Sequence, residues 1–228
     1  MTATEIATIC DGVFFTRPRS LPRGKHDLAR DEVGRIQRDR IVIAIVELLA
    51  DGGHRAIGAR EVCLRAGVSL TAFYDNFADR DEAVSAAYQG FIDVLLGRLI
   101  SVSSEGRTWR EYVEAVLAAY FGTLSDDLVV AKAFQVEMDA MGKAARARRR
   151  EALVGMAQLL RDKHREWDAS AGDRVPETAY LVGVYAARQL ASDALDSEHG
   201  TDDAIRSDLE QIRVGAVDWV LRLVGDVV

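Results

Sequence analysis

The sequence predicts an all-α protein in which an N-terminal three-helix helix-turn-helix module precedes a larger helical domain, about nine helices in all. Apolar residues recur at helical spacing, with no long alternating runs of the kind strands need. Only 3 prolines interrupt 228 residues, and Gly53 to Phe77 reads as two short helices joined by a tight turn. A hydrophobic content of 49% is ample for a buried core.

Met1 to Phe15 carries no pattern that assigns it a structure. Thr16 to His26 holds Arg17, Arg19, Arg23 and Lys25, no acid and two of the three prolines, so it reads as an extended basic segment. Arg30 to Asp51 follows as the first helix, with Ile41, Ala44, Ile45 and Leu48 on one face and Asp31 and Glu32 suited to its positive end. Gly52 and Gly53 end it. Gly58 to Ala66 forms a second helix, with Gly58 as N-cap and Val62, Cys63 and Ala66 facing inward opposite Arg60, Glu61 and Arg65. Gly67 supplies a left-handed turn and Ser69 caps a third helix that starts at Leu70.

Two short helices joined this way are the architecture of a helix-turn-helix, whose second helix lies in the DNA major groove. Leu70, Thr71 and Ala72 take the base-facing places. Leu70 and Ala72 can touch only thymine methyls, which makes Thr71 the hydrogen-bonding reader.

The run AGVSLTAFYDNFADRDEA, with Ala66, Gly67, Val68, Ser69, Phe73, Tyr74 and Phe77 at its landmarks, resembles the signature of the TetR (tetracycline repressor) family of transcriptional regulators. The likeness extends over about residues 30 to 100. It implies a DNA-binding domain at 30–78 and a helical ligand-binding and dimerisation domain at 79–228, preceded by an arm at 1–29. It also implies phosphate contacts from Tyr74 and Arg80. Where the family commonly has Thr or Ser this chain has Gly58, and where it often has His this chain has Asn76, which can still donate to phosphate. Arg23 and Lys25 lie in a PRG-[RK]-H arm similar to that of an actinobacterial group of the family. As a solvated tail this arm would be passive; as a DNA-binding arm it would follow phosphates or enter the minor groove.

Asp79 and Glu82 form a capping box for the fourth helix, whose stripe Val84, Ala87, Tyr88, Phe91, Leu95 and Leu99 runs to about Ile100. Trp109 to Leu124, Asp127 to Met141 and Ala144 to Trp167 read as three more. Within them Arg146, Arg148, Arg149 and Arg150 read as a solvated face. Pro176 opens a helix to about Leu195, and Thr201 or Asp202 caps the last. Phe91, Trp109, Tyr120, Phe134, Met138, Met141, Met156 and Tyr180 are the candidate lining of a ligand pocket, the alternative being plain core. Gly183, Ala187, Leu190, Ala194, Ile212, Ala216 and Val220 are the candidate dimer surface, because members of the resembled family pair through their last two helices.

Net charge is −7, but residues 1–80 carry 12 basic and 11 acidic side chains against 17 and 25 in residues 81–228, so DNA binding must be local to one edge. Cys10 and Cys63 lack metal or disulfide-framework spacing, which suits a reducing cytoplasm. Glu5 and Asp11 spoil a signal peptide, and unbroken apolar runs such as Ile41 to Val46 are far too short for a bilayer, so no membrane partner is expected. No nucleophile elbow, phosphate-cradling loop or metal-binding His/Glu pair points to an enzyme, and no cofactor is expected. The functional expectation is a cytoplasmic homodimeric regulator, a repressor released from a double-stranded DNA operator by a small apolar or amphipathic ligand. The alternatives are the same fold without an inducer, or an all-helical enzyme.

Overall fold

The computed structural model describes residues 7–19, 28–197 and 200–225, and every regular element among them is helical. The α-helices in order are α1 (Arg30–Gly52), α2 (Ala59–Ala66), α3 (Leu70–Asn76), α4 (Arg80–Ile100), α5 (Trp109–Asp126), α6 (Leu128–Gln135), α7 (Lys143–His164), α8 (Ala171–Arg174), α9 (Glu177–Leu195) and α10 (Asp202–Leu223). The chain divides into two compact units, Met1–Phe91 with Asp127–Ala140, and Ile92–Asp126 with Met141–Val228.

In the first unit α1 is the central element. Its sequence stripe suggests one buried face, yet every residue from Ile41 to Ala50 is buried. The reason is tertiary: α2 and α3 pack on α1, α6 covers it from another side, and residues 7–19 contribute Ile9 and Phe14 to the core. The segment the sequence left unassigned is therefore in part a structural element. Ile9 donates its backbone N–H to Glu47 at 3.2 Å, and Cys10 donates to Asp127 at 2.9 Å. The rings of Phe14, Phe91 and Phe134 pack in series at tilted angles, with centroids 5.2 and 5.1 Å apart.

The helix expected from Asp127 to Met141 is two pieces. Asp127 caps α6 by accepting the Val130 N–H at 3.1 Å, and a 3₁₀ turn over Glu137–Met141 follows. Gly142, at φ 96°, then turns the chain into α7. Pro176 is the N-cap of α9 rather than a residue of its first turn, and α8 is an additional single turn.

In the second unit α5 packs on α10, α10 on α9, and α9 on α7. Arg110 ties α5 to Asp218 of α10 at 3.0 Å, and Thr201 caps α10 through the Ala204 N–H at 3.3 Å. Helix α4 is long and apolar enough by length and composition to cross a bilayer, but Ala83, Val84, Ala87, Phe91 and Leu95 are buried within the protein, as in any core helix. Arg146, Arg148 and Arg150 are exposed and Arg149 is half-buried.

Candidate nucleic-acid interface

The turn between α2 and α3 forms as its residues dictate. Gly67 adopts the left-handed conformation at φ 64°, ψ 42°, which a side chain would strain, and its turn is closed by Val68 N–H donating to the Cys63 carbonyl at 3.1 Å. Ser69 Oγ accepts the Ala72 N–H at 3.1 Å, which starts α3 at Leu70. Phe73 and Phe77 are buried and anchor α3 to the module, while Leu70, Thr71 and Tyr74 face outward, Tyr74 at 58% exposure. The Phe73 and Tyr74 rings pack edge to face, with centroids 5.3 Å apart at 82°, so the exposed phenol stands on a buried neighbour.

Three of the expected DNA-facing residues are buried or have neighbours within the protein. Ala72 is buried at 6% exposure, because the same helical turn that exposes Leu70 and Thr71 points it at the core, so it is not a base reader. Asn76 donates one of its two side-chain N–H groups to the Ala72 carbonyl at 2.8 Å, near the end of α3, which leaves the second for another acceptor. Gly58 is the extended N-cap of α2, but the Glu61 carboxylate occupies the space where a Cβ would stand, so a carboxylate covers that helix end. Arg38, which sequence reasoning missed, donates to the Asn76 carbonyl at 3.0 Å and lies 4.2 Å over the Phe77 ring. No local pattern marks it, since its partners lie more than thirty residues away.

Arg80 opens α4 exposed, 3.2 Å from Asp81. Asp79 accepts the Glu82 N–H at 2.8 Å, and the Glu82 carboxylate accepts the N–H of Ala78, the residue before the cap, at 2.6 Å, a variant of the capping box. Of the basic segment, Arg17 pairs with Glu47 and Arg19 with Glu32, so those two are engaged within the protein. Arg23 and Lys25 lie outside the described residues.

No protein-family model matches the chain. Among curated proteins, the HTH-type transcriptional activator FasR of Mycolicibacterium smegmatis is 30% identical over 111 residues, 49% of this chain and 49% of that protein. The match thus spans about half the length of that relative. A transcriptional regulator from Rhodococcus sp. Rha1 has a solved structure with 25% identity and a TM-score of 0.61, over 84% of this chain and 98% of that one. FadR from Bacillus subtilis, solved in complex with stearoyl-CoA, has 18% identity and a TM-score of 0.63, over 83% and 98%. Solved TetR-family regulators share the same architecture. This chain has the TetR-family fold.

The second unit encloses a cavity of about 80 Å³. Tyr120, Met156 and Tyr180, three of the candidate pocket residues, line it. The other pocket candidates are elsewhere. Phe91, Phe134 and Met138 are core residues of the first unit, and Met141 is half-buried at the end of the 3₁₀ turn. Trp109 lies behind the lining, stacked on the buried His164 at 4.2 Å and 6°. His164 Nδ1 is 2.7 Å from the Tyr180 hydroxyl, and burial pushes the Tyr180 phenol above its ordinary pKa. Arg188, buried at 5% exposure, is the charged residue of the lining.

The candidate dimer surface divides in the same way. Gly183, Ala187 and Val220 line the cavity, and Ala216 and Ala194 are buried within the chain. Small residues let α9 and α10 approach each other and their neighbours, so they are consumed by intrachain packing. Leu190 is exposed and Ile212 half-exposed, and Val182 and Val214, at 52% and 59%, are the exposed apolar residues sequence reasoning missed.

Proposed function

We propose that the protein is a cytoplasmic, homodimeric DNA-binding transcriptional regulator whose hold on its operator is weakened by a ligand with a long apolar chain, of the fatty-acyl class. The observation that carries the ligand class is the cavity: leucine, valine, alanine and aromatic walls, with Arg188 and the Tyr180 hydroxyl as polar anchors. The stearoyl-CoA bound to the Bacillus subtilis FadR structure supports the same class. At about 80 Å³ the cavity falls well below the roughly 300–1,000 Å³ of a formed ligand site, so a ligand must part the helices to enter. That movement is the differential state a regulator needs. α4 contributes residues to both units and is the element through which it would reach the DNA module.

Dimerisation through α9 and α10 fits their outward Val182, Leu190, Ile212 and Val214. A two-fold pair would set two α3 helices in successive major grooves, about 34 Å apart. Bound there, such a protein represses or activates according to where the operator lies relative to the promoter; the curated relative is an activator.

The test starts from an operator selected out of randomised DNA. Palmitoyl-CoA or stearoyl-CoA should lower affinity at least tenfold, free CoA should not, and saturating operator should weaken the acyl-CoA by the same factor. Acyl-CoA that leaves DNA affinity unchanged sinks the ligand assignment, and failure to enrich any sequence sinks DNA regulation itself. Tyr74→Phe and Arg80→Ala should weaken all sequences alike, and Thr71→Ala should relax preference at one base pair. Replacing Arg23 and Lys25 by alanine should flatten the log–log salt dependence by about 0.9 per lost phosphate contact. Equal slopes would make that segment a passive tail. Sedimentation of Val214→Arg against wild type checks the dimer.

A further inference from the structure

A second charged feature of the first unit lies apart from the outward face of α3. A cleft of about 200 Å³ runs between the N-terminal segment, α1 and the end of α2, and its charged lining is Arg17, Arg40, Arg65 and Glu47. Three guanidiniums against one carboxylate leave an excess of two positive charges. Glu47 orients two of them: Arg65 Nε donates to its Oε2 at 2.7 Å, and Arg17 pairs with its Oε1. Each guanidinium has five N–H donors, so the carboxylate occupies only part of what these two offer. Arg40 is different. Among the described residues it makes no hydrogen bond or ion pair, and its Nη2 lies 2.8 Å from where a Cβ on Gly67 would be, so the guanidinium is lodged against the helix-turn-helix turn.

Glu47 offsets one of the three positive charges, and the two that remain in the cleft favour a further anion. We propose that this cleft binds a phosphate group. A phosphate monoester carries about −1.5 to −2 charge at neutral pH, which matches the excess, and the planar fork of Arg40 suits bidentate contact with its oxygens. The group can come from the DNA backbone or from a free phosphate-bearing molecule.

The experiment uses the full chain as wild type, Arg40→Ala and Arg40→Lys. Thermal unfolding is followed with inorganic phosphate replacing chloride at constant ionic strength, and operator binding is followed across a salt series. Phosphate should raise the wild-type Tm, Arg40→Ala should lose that rise, and Arg40→Lys should keep part of it by charge alone. If the DNA backbone is the source, Arg40→Ala also lowers the log–log salt slope by about 0.9, whereas an unchanged slope with a lost Tm rise assigns the site to a free phosphate compound. An equal rise in all three proteins, or no rise together with unchanged slopes, overturns the proposal. Should Arg40→Ala not fold, the lysine variant decides: a rise and slope identical to wild type would exclude a site built on the Arg40 fork.

Discussion

Glu47 in the first unit is only 1% exposed, yet it meets the Ile9 N–H, Arg17 and Arg65, while Asp127, fully buried, takes amides from Cys10 and Val130. Burial holds the Asp127 carboxyl above the usual carboxylate range, and the Val130 and Cys10 amides pull it back. In the second unit the buried Arg188 lines an apolar cavity, and the buried His164 meets the hydroxyl of Tyr180 in the cavity wall. The first unit uses two buried carboxylates to define a single geometry, because Glu47 and Asp127 have fixed partners and any shift strands them. The other keeps unfilled space between helices, and space is what a conformational response requires. The lesson is that a unit held in one geometry and a unit with room between its helices can both be built from helices by deciding where polar groups and voids go.

The largest effect should come from breaking the clamp. Glu47→Ala strands Arg17, Arg65 and the Ile9 amide, and should cost about 3–5 kcal/mol in urea unfolding, with residues 7–19 becoming sensitive to protease. A loss below about 1 kcal/mol would remove the contrast between the units. Next, Tyr180→Phe takes the hydroxyl from the buried His164 and should cost about 1–3 kcal/mol, and it should also shift acyl-CoA affinity, which a purely structural hydroxyl would not.

Glycine-to-alanine exchange sharpens the comparison because its sign should reverse. Gly67→Ala forces a side chain into the left-handed region and onto Arg40, and should destabilise by about 1–2 kcal/mol. Gly183→Ala meets nothing within 4 Å, and should stabilise α9 by about 0.5–1 kcal/mol while weakening any ligand that enters the cavity it lines. Denaturant midpoints of the two variants check both signs.

The smallest effect concerns acid. Asp168 has its pKa lowered to about 2, chiefly by the Ser170 hydroxyl and then by Arg174. A depressed carboxylate contributes stability that is whole above its unfolded pKa, so this share should be present at neutral pH and fade as pH falls from about 4 through about 2. Asp168→Asn should flatten that part of the stability–pH curve and leave neutral pH almost unchanged.

Local chemistry determined a large part of this protein from sequence alone. The turn at Gly67 and Ser69, the inward Phe73 and Phe77, the outward Tyr74 and the caps at Asp79 and Thr201 follow from contacts within a few residues, which sequence spacing displays directly. The tertiary structure alone decided which apolar residues share a space. Phe134 and Met138 carry the same helical signal as Tyr120 and Met156, but α6 packs on α1 while α5 and α7 reach the cavity. It also decided that Ile9 and Arg17 belong to the first unit, since their partner Glu47 lies some thirty residues away and burial of a charge shows in no local pattern. Periodicity fixes which face of a helix is apolar, and only packing between distant segments fixes what that face meets.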